Sequence, residues 1–257
     1  MKYEPTDKTA NRMNTIRRAV IMGATSGIGY ETALLLLHEG WYLGIAGRRE
    51  KHLRQLKSLA PDRICIHVID IRQSGADKEL LQLIDELGGM DLYLHSSGIG
   101  HQNFPLVPSI ETDTLETNGT GFVRMTNAAF HYFLSKGHGH IAVISSIAGT
   151  KGLGIAPAYS ATKRFQNIYI DALEQLARMH HTPIRFTDIR PGFVSTGLLN
   201  DGKHYPLLMK PDKVARHIVC ALKKKKRVAV IDWRYRLLVF FWKLIPCWLW
   251  KRLNIRN

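Results

Sequence analysis

Apolar and polar positions along the 257-residue chain fall into two alternating kinds of segment. Short β-branched runs, RRAVIM (17–22), YLGIA (42–46), RICIHVI (63–69), DLYLHS (91–96), HIAVIS (140–145), IRFTDI (184–189) and RVAVI (227–231), are separated by stretches long enough for helices. Most of the runs are apolar at consecutive rather than alternate positions, as strands buried on both faces require. Between them, IGYETALLLLH (28–38) is densely apolar, with Gly40 placed as a helix stop. Ser160 to Met179 carries Phe165, Ile168, Leu173, Leu176 and Met179 at three- and four-residue spacings, which predicts a second helix. The expected fold is α/β, a Rossmann-like doubly wound parallel sheet of about seven strands with helices on both faces.

Charge divides the chain. The net charge is +15, from 36 Lys and Arg against 21 Asp and Glu. Eleven basic residues and one acid lie between Lys223 and Asn257, and five basic and two acidic residues between Met1 and Arg18, so the body from Ala19 to Leu222 is nearly neutral. Four of the five tryptophans (Trp233, Trp242, Trp248, Trp250) also fall in the last stretch. Three parts follow: a polar leader, 1–16, without hydrophobic period and with Met13 as a possible start; a single domain, 17–232; and a basic aromatic tail, 233–257. The Lys223–Arg227 run reads as a solvated loop. A basic total without a recognition motif is weak ground for nucleic acid. The leader has no apolar signal region and the three cysteines, Cys65, Cys220 and Cys247, are too few for a disulfide scaffold, so a reducing cytoplasm is expected. Leu237 to Trp250, interrupted by Lys243 and Pro246, is shorter than the roughly 20 residues of a spanning helix.

The first chemical signal is Gly23-Ala24-Thr25-Ser26-Gly27-Ile28-Gly29, directly between the first strand and a helical pattern. Glycines there let main-chain N–H groups approach a pyrophosphate, and the helix N-terminus adds partial positive charge. At the end of the second strand, where an acid would select NAD, stand Arg48 and Arg49. Two guanidiniums suit a 2′-phosphate, so NADP(H) is the expected cofactor, unless the pair is ordinary surface charge.

Tyr159 and Lys163 are four apart at the start of the helix after Pro157 and share one face. A nearby ammonium stabilises phenolate and lowers the tyrosine pKa from near 10, which makes it usable in proton transfer. Ser146 ends the fifth strand, at the sheet edge where such folds place ligands, and its hydroxyl can bond the reacting oxygen.

These motifs, with Asp70 after the third strand, Asn118 in ETNGTG and Pro191-Gly192-Phe193-Val194-Ser195-Thr196 after the sixth, resemble the short-chain dehydrogenase/reductase family in its compact single-domain branch, over about Arg17 to Val230. The resemblance implies that Tyr159 is the proton donor, that Ser146 orients the carbonyl, and that Lys163 lowers the tyrosine pKa while holding the nicotinamide ribose. It also implies that Asn118 holds a water in a proton relay. Asp70 is expected at the adenine, with Ile71, Ser97 and Gly98 nearby, and Pro191, Gly192, Val194 and Thr196 against the nicotinamide. Two departures are Met22 before the first glycine, where the family usually has Thr, and His95-Ser96-Ser97-Gly98 in place of Asn-Asn-Ala-Gly.

Other patterns carry less. Gly197 to Lys203 imitates a phosphate loop but has His204 where the Mg²⁺-binding hydroxyl belongs. Asn118-Gly119-Thr120 fits a glycosylation acceptor without a secretory signal, and His138, His140, His180 and His181, read as loop residues, have no ligand set, so no metal is expected. The segment 197–210, with Leu198, Leu199, Leu207, Leu208 and Met209, reads either as a lid over an apolar substrate or as a surface loop docked by its leucines. The tail could lie on an anionic membrane surface at the inner face, cover its own domain or form a subunit interface. The function expected is NADP(H)-dependent interconversion of a hydrophobic, lipid-like ketone and a secondary alcohol, in a homo-oligomer (dimer or tetramer). The alternatives are a 3-oxoacyl thioester reductase of the same family and a non-catalytic NADPH-binding sensor or scaffold.

Overall fold

The computed structural model describes residues 16–199 and 205–255. All but the last residue of the expected leader, and His204 with most of the phosphate-loop imitation, lie outside the described residues. Seven strands form one parallel sheet: β1 (Arg18–Met22), β2 (Tyr42–Gly47), β3 (Ile64–Val68), β4 (Leu92–His95), β5 (Gly139–Ile144), β6 (Ile184–Arg190) and β7 (Val228–Val230). Their order is β3-β2-β1-β4-β5-β6-β7, so the chain reverses its winding between β1 and β4. Each predicted apolar run became a strand.

Helices cover both faces. α1 (Gly27–His38), α2 (Glu50–Lys57), α3 (Ala76–Glu86), α4 (Pro108–Leu115), α5 (Phe122–Lys136), α6 (Pro157–Met179), α7 (Pro211–Lys223), α8 (Trp233–Leu244) and the single turn α9 (Cys247–Trp250) follow in chain order. Successive β1 residues go to opposite cores, as the two-residue strand period dictates. Ala19 and Ile21 pack under α1, α2, α7 and α8, while Val20 and Met22 pack under α3, α5 and α6. α1 ends at Gly40 as expected, with φ +83°.

α6 covers the segment where a helix was expected, and the face it buries is not the apolar stripe. Of the apolar stripe only Leu173 is buried; Phe165, Ile168, Leu176 and Met179 are exposed. The inward face is largely polar: Ser160, Thr162, Lys163, Gln166 and Asn167, then Ile170, Leu173 and Ala177. His140 is no loop residue either: it lies in β5, with Nε2 2.8 Å from Thr187 Oγ1, and burial pulls its pKa down to about 4, with Arg185 and Lys225 adding to the shift. In the basic run, Lys223 closes α7 and Lys224 to Lys226 are exposed. Arg227 instead ion-pairs with Asp171 and Glu174 on α6.

The basic aromatic segment folds back on the domain. Tyr235 and Val239 of α8 are buried in the core that holds Ile189, Val194 and Met209. Trp250 Nε1 donates to Gly152 O at 2.7 Å and Lys151 Nζ to Ile245 O at 2.8 Å. Among the described residues no helix is long and apolar enough to cross a membrane.

Candidate active site

The expected site residues gather at the C-terminal edge of the sheet, at the β1/β4 reversal. Gly23 has φ +95°, and a Cβ there would lie 2.6 Å from Ser97 N, so only glycine lets the β1 turn pass against the end of β4. Thr25 and Ser26 lead into α1, whose first turn has neither an acid nor a side-chain cap, leaving its N–H groups for an anion. Gly27 faces the Thr196 methyl. Arg49 donates to Thr25 Oγ1 (2.8 Å) and Ser26 Oγ (2.5 Å), which fixes the end of β2 to the glycine turn. Arg48, exposed beside it, acts on Asp70. Burial works against the Asp70 carboxylate, but bonds from Arg72 outweigh it and hold its pKa below the ordinary value. Ile71 is buried, and its carbonyl accepts from Arg124. The chain therefore fits a dinucleotide: a glycine cradle, an open helix N-terminus and cations at the β2 edge.

Ser146 starts a short 3₁₀ turn (Ile147–Thr150) after β5, and its Oγ accepts from Ala148 N at 3.1 Å. The turn runs close to α6: a Cβ on Gly149 would lie 2.8 Å from the Lys163 carbonyl carbon and 2.7 Å from Asn167 Oδ1. This approach brings Ser146 into hydrogen bonding with the Tyr159 hydroxyl. Pro191 O accepts from Ile147 N at 3.1 Å, and Val194 bridges to Met209, so the segment after β6 forms the next wall. Gly192 lies under the Tyr235 ring, whose hydroxyl donates to Pro206 O (3.0 Å) or Leu207 O (3.1 Å) and accepts from Phe193 N (3.1 Å). α8 thereby anchors the far half of the 197–210 segment; Met209 is buried, and Leu207 and Leu208 face out.

Lys163 is almost wholly buried and donates to Ile144 O and Gln166 Oε1, both at 3.1 Å. Burial brings its pKa down to about 8, with Asp188 opposing the fall. Its ammonium lies 5.7 Å from the centre of the Tyr159 ring. The Tyr159 pKa is raised, by burial, with the Ser146 bond offsetting part of the rise. The Lys163 ammonium, bonded to Ile144 O and Gln166 Oε1, does not outweigh that burial. Tyr159 is consequently a neutral phenol near pH 7, able to give a proton.

Asn118, fully buried, sits in a π-helical turn (Glu116–Gly121) that links α4 to α5. Its amide bonds Ile99 N (2.9 Å) and Ile99 O (2.7 Å), and a Cβ on Gly98 would touch both Asn118 Oδ1 (3.1 Å) and Lys163 Nζ (3.5 Å). His95 is buried and bonded to Tyr93 Oη at 2.9 Å. Burial first, then the Lys163 charge, lowers its pKa to about 3, so it stays neutral. Sequence reasoning missed the polar layer below the site, Ser145, Gln166, Asn167 and Asp188, all buried. The signal was present for two of them: Gln166 and Asn167 lie seven and eight residues beyond Tyr159, on the same helical face.

An open doubly wound sheet with a glycine turn at its reversal and Ser, Tyr and Lys along one edge defines a dinucleotide-binding oxidoreductase class. The family model for short chain dehydrogenases matches residues 17–204, and the chain belongs to the short-chain dehydrogenase/reductase family. It is 31% identical to the bovine (Bos taurus) dehydrogenase/reductase SDR family member 7B, over 90% of this chain and 79% of that one. It is also 31% identical to the NADP-dependent 3-hydroxy acid dehydrogenase YdfG of Escherichia coli K12, over 68% and 71%. An actinorhodin polyketide ketoreductase solved with NADPH has the same fold, with a TM-score of 0.74 at 23% identity, covering 84% of this chain and 95% of that one.

Proposed function

We propose that the protein is an NADP(H)-dependent reductase that converts a ketone on an apolar molecule to a secondary alcohol. The observation that carries this is the hydroxyl pair of Ser146 and Tyr159, hydrogen-bonded at the ligand edge with a buried lysine beside them. When bound, the nicotinamide supplies the hydride. Ser146 and Tyr159 bond the carbonyl oxygen, and Tyr159 releases its proton to that oxygen as negative charge develops. Lys163 stabilises the resulting phenolate and holds the ribose. The loops above the sheet edge expose Phe104, Leu106, Val107, Leu207 and Leu208, which favours a hydrophobic substrate.

NADP(H) is supported by Arg48 and Arg49 at the end of β2 and by the NADP dependence in the name of the Escherichia coli relative. Arg48→Ala is expected to weaken NADPH binding about tenfold, the worth of one charge-assisted bond, and to leave NADH binding unchanged. Both are read by quenching of intrinsic fluorescence, with NADPH oxidation followed across a panel of apolar ketones. Equal losses for the two cofactors sink the 2′-phosphate assignment; no turnover with any ketone removes the reductase reading.

Two apolar surfaces have different partners. On α6, exposed Phe165, Ile168 and Met179 stand among charges of both signs, Arg164, Asp171, Glu174 and Arg178, a self-complementary mixture that suits a second copy. On α8 and α9, Trp233, Leu237, Phe240, Phe241, Leu244 and Trp248 are exposed, although the helix already buries Tyr235 and Val239. Arg236, Lys243, Lys251 and Arg252 flank them, and Asp232 is paired to Arg234. Two such faces repel each other, whereas an anionic lipid surface attracts both the cations and the aromatics. Removing the segment would strip Tyr235 from the core, so substitution is the cleaner test. A Phe240→Ser, Phe241→Ser, Trp248→Ser variant is expected to remain a dimer or tetramer by light scattering, yet to lose sedimentation with phosphatidylcholine vesicles containing phosphatidylserine. Unchanged sedimentation refutes the lipid assignment, and a monomeric mass refutes the α6 interface.

A further inference from the structure

Gln166 is fully buried on α6, three residues beyond Lys163 and seven beyond Tyr159. Its Nε2 donates to the main-chain oxygen of Asn118 at 2.9 Å, and its Oε1 accepts from Lys163 Nζ at 3.1 Å. Chemistry dictates this orientation of the amide. A carbonyl can only accept and an ammonium can only donate, so the NH₂ must face Asn118 and the oxygen must face Lys163. The amide thus spans the gap between the π turn of Glu116–Gly121 and the lysine, both ends satisfied, in a place where an unpaired polar group would be costly.

We propose that Gln166 is a positioning residue that clamps the Lys163 ammonium to Asn118 and sustains its positive charge beside Tyr159. The inference rests on the catalytic reading of Tyr159 and Lys163 and adds to it the group that holds the lysine. It also gives Asn118 a direct link to Lys163, from its main-chain oxygen through the Gln166 amide.

A buried lysine loses water's stabilisation of its charge, and each acceptor that bonds the ammonium restores some of it. The acceptors are Ile144 O and Gln166 Oε1. The titratable groups facing Lys163 are Asp188 from β6, itself paired with Arg190, the neutral His95 from β4, and Tyr159 from its own helix. Only Asp188 adds favourable charge, so losing one of two acceptors has a direct effect on the lysine's protonation.

The test is the titration of Lys163 in the full chain, by NMR of lysine labelled with ¹³C at Cε, the resonance identified by its disappearance in Lys163→Arg. Gln166→Met keeps the volume and removes the acceptor. It is expected to lower the Lys163 midpoint by about one pH unit, about tenfold in proton affinity. Gln166→Glu keeps an acceptor oxygen and is expected to hold the midpoint at or above that of the parent. The alkaline limb of kcat for ketone reduction should follow the same order while the ketone KM stays put, a split that general loosening of the core would not give. A Lys163 midpoint unmoved in a folded Gln166→Met variant overturns the proposal. Should that variant fail to fold, a fall of the midpoint in Gln166→Glu overturns it instead. Absence of turnover would count against the catalytic reading alone, because the NMR midpoint is read without it.

Discussion

Tyr159→Phe is expected to lower kcat for ketone reduction by about 10²–10⁴-fold, the usual worth of a positioned general acid. NADPH affinity should stay within about threefold of the parent. The substitution removes one oxygen and leaves the ring, so the ring's contact with Lys163 survives. What disappears is the proton that must reach the carbonyl oxygen as hydride arrives, together with one of two hydroxyls that hold it. Ser146 retains its bond from Ala148 N and keeps its place, but it cannot replace the phenol because its hydroxyl is far less acidic. Loss of the Ser146 bond should cost only about 1 kcal/mol of stability. Steady-state NADPH oxidation with a melting curve separates the two effects. A Phe variant that turns over within about threefold of the parent removes Tyr159 from the mechanism. One that loses activity only in proportion to folded protein makes the residue structural.

The sheet was legible because its evidence is redundant. Most strands are short, densely apolar runs closed by polar or glycine-rich turns, and no other element explains seven such segments in alternation with helices. The glycine turn was legible for a similar reason: Gly23 must adopt φ +95° against Ser97, and few other sequences satisfy that geometry between a strand and a helix. α6 shows what periodicity leaves out. It predicts a helix but not which face is buried, and here most of the apolar stripe is turned to solvent. Lys163, Gln166 and Asn167 occupy the inside because buried partners await each of them, and the pattern of a single helix holds no record of partners on β5, β6 and the π turn. The tail stayed open between readings for a different reason. Its aromatics are on both sides of α8, so composition named two kinds of burial at once, and the packing of Tyr235 under Gly192 separates the inner face from the outer.

The larger stability effect belongs to Asp188, which no motif marks. It is fully buried in β6 and accepts from Ser145 Oγ, from Asn167 Nδ2 at 2.9 Å, and from Arg190 Nε and Nη2 at 2.8 and 2.6 Å. One carboxylate therefore ties the end of β5, α6 and β6 together below Ser146. Asp188→Ala leaves the Arg190 guanidinium without its counter-charge in a largely buried position and strands the Ser145 and Asn167 donors. Breaking a buried pair from one side costs about 3–5 kcal/mol, a large part of the roughly 5–15 kcal/mol that holds a domain together. The melting temperature should drop on the order of 10 °C. Asp188→Asn separates charge from packing, since the amide keeps the shape and one acceptor. Asp188 favours the charged form of Lys163, whose pKa burial has brought to about 8. Without that charge the ammonium gives up its proton at lower pH, so the alkaline limb of kcat must move downward, not upward. An Asn variant whose limb stays in place, or an Ala variant that melts within about 2 °C of the parent, would show that the site does not depend on the layer beneath it.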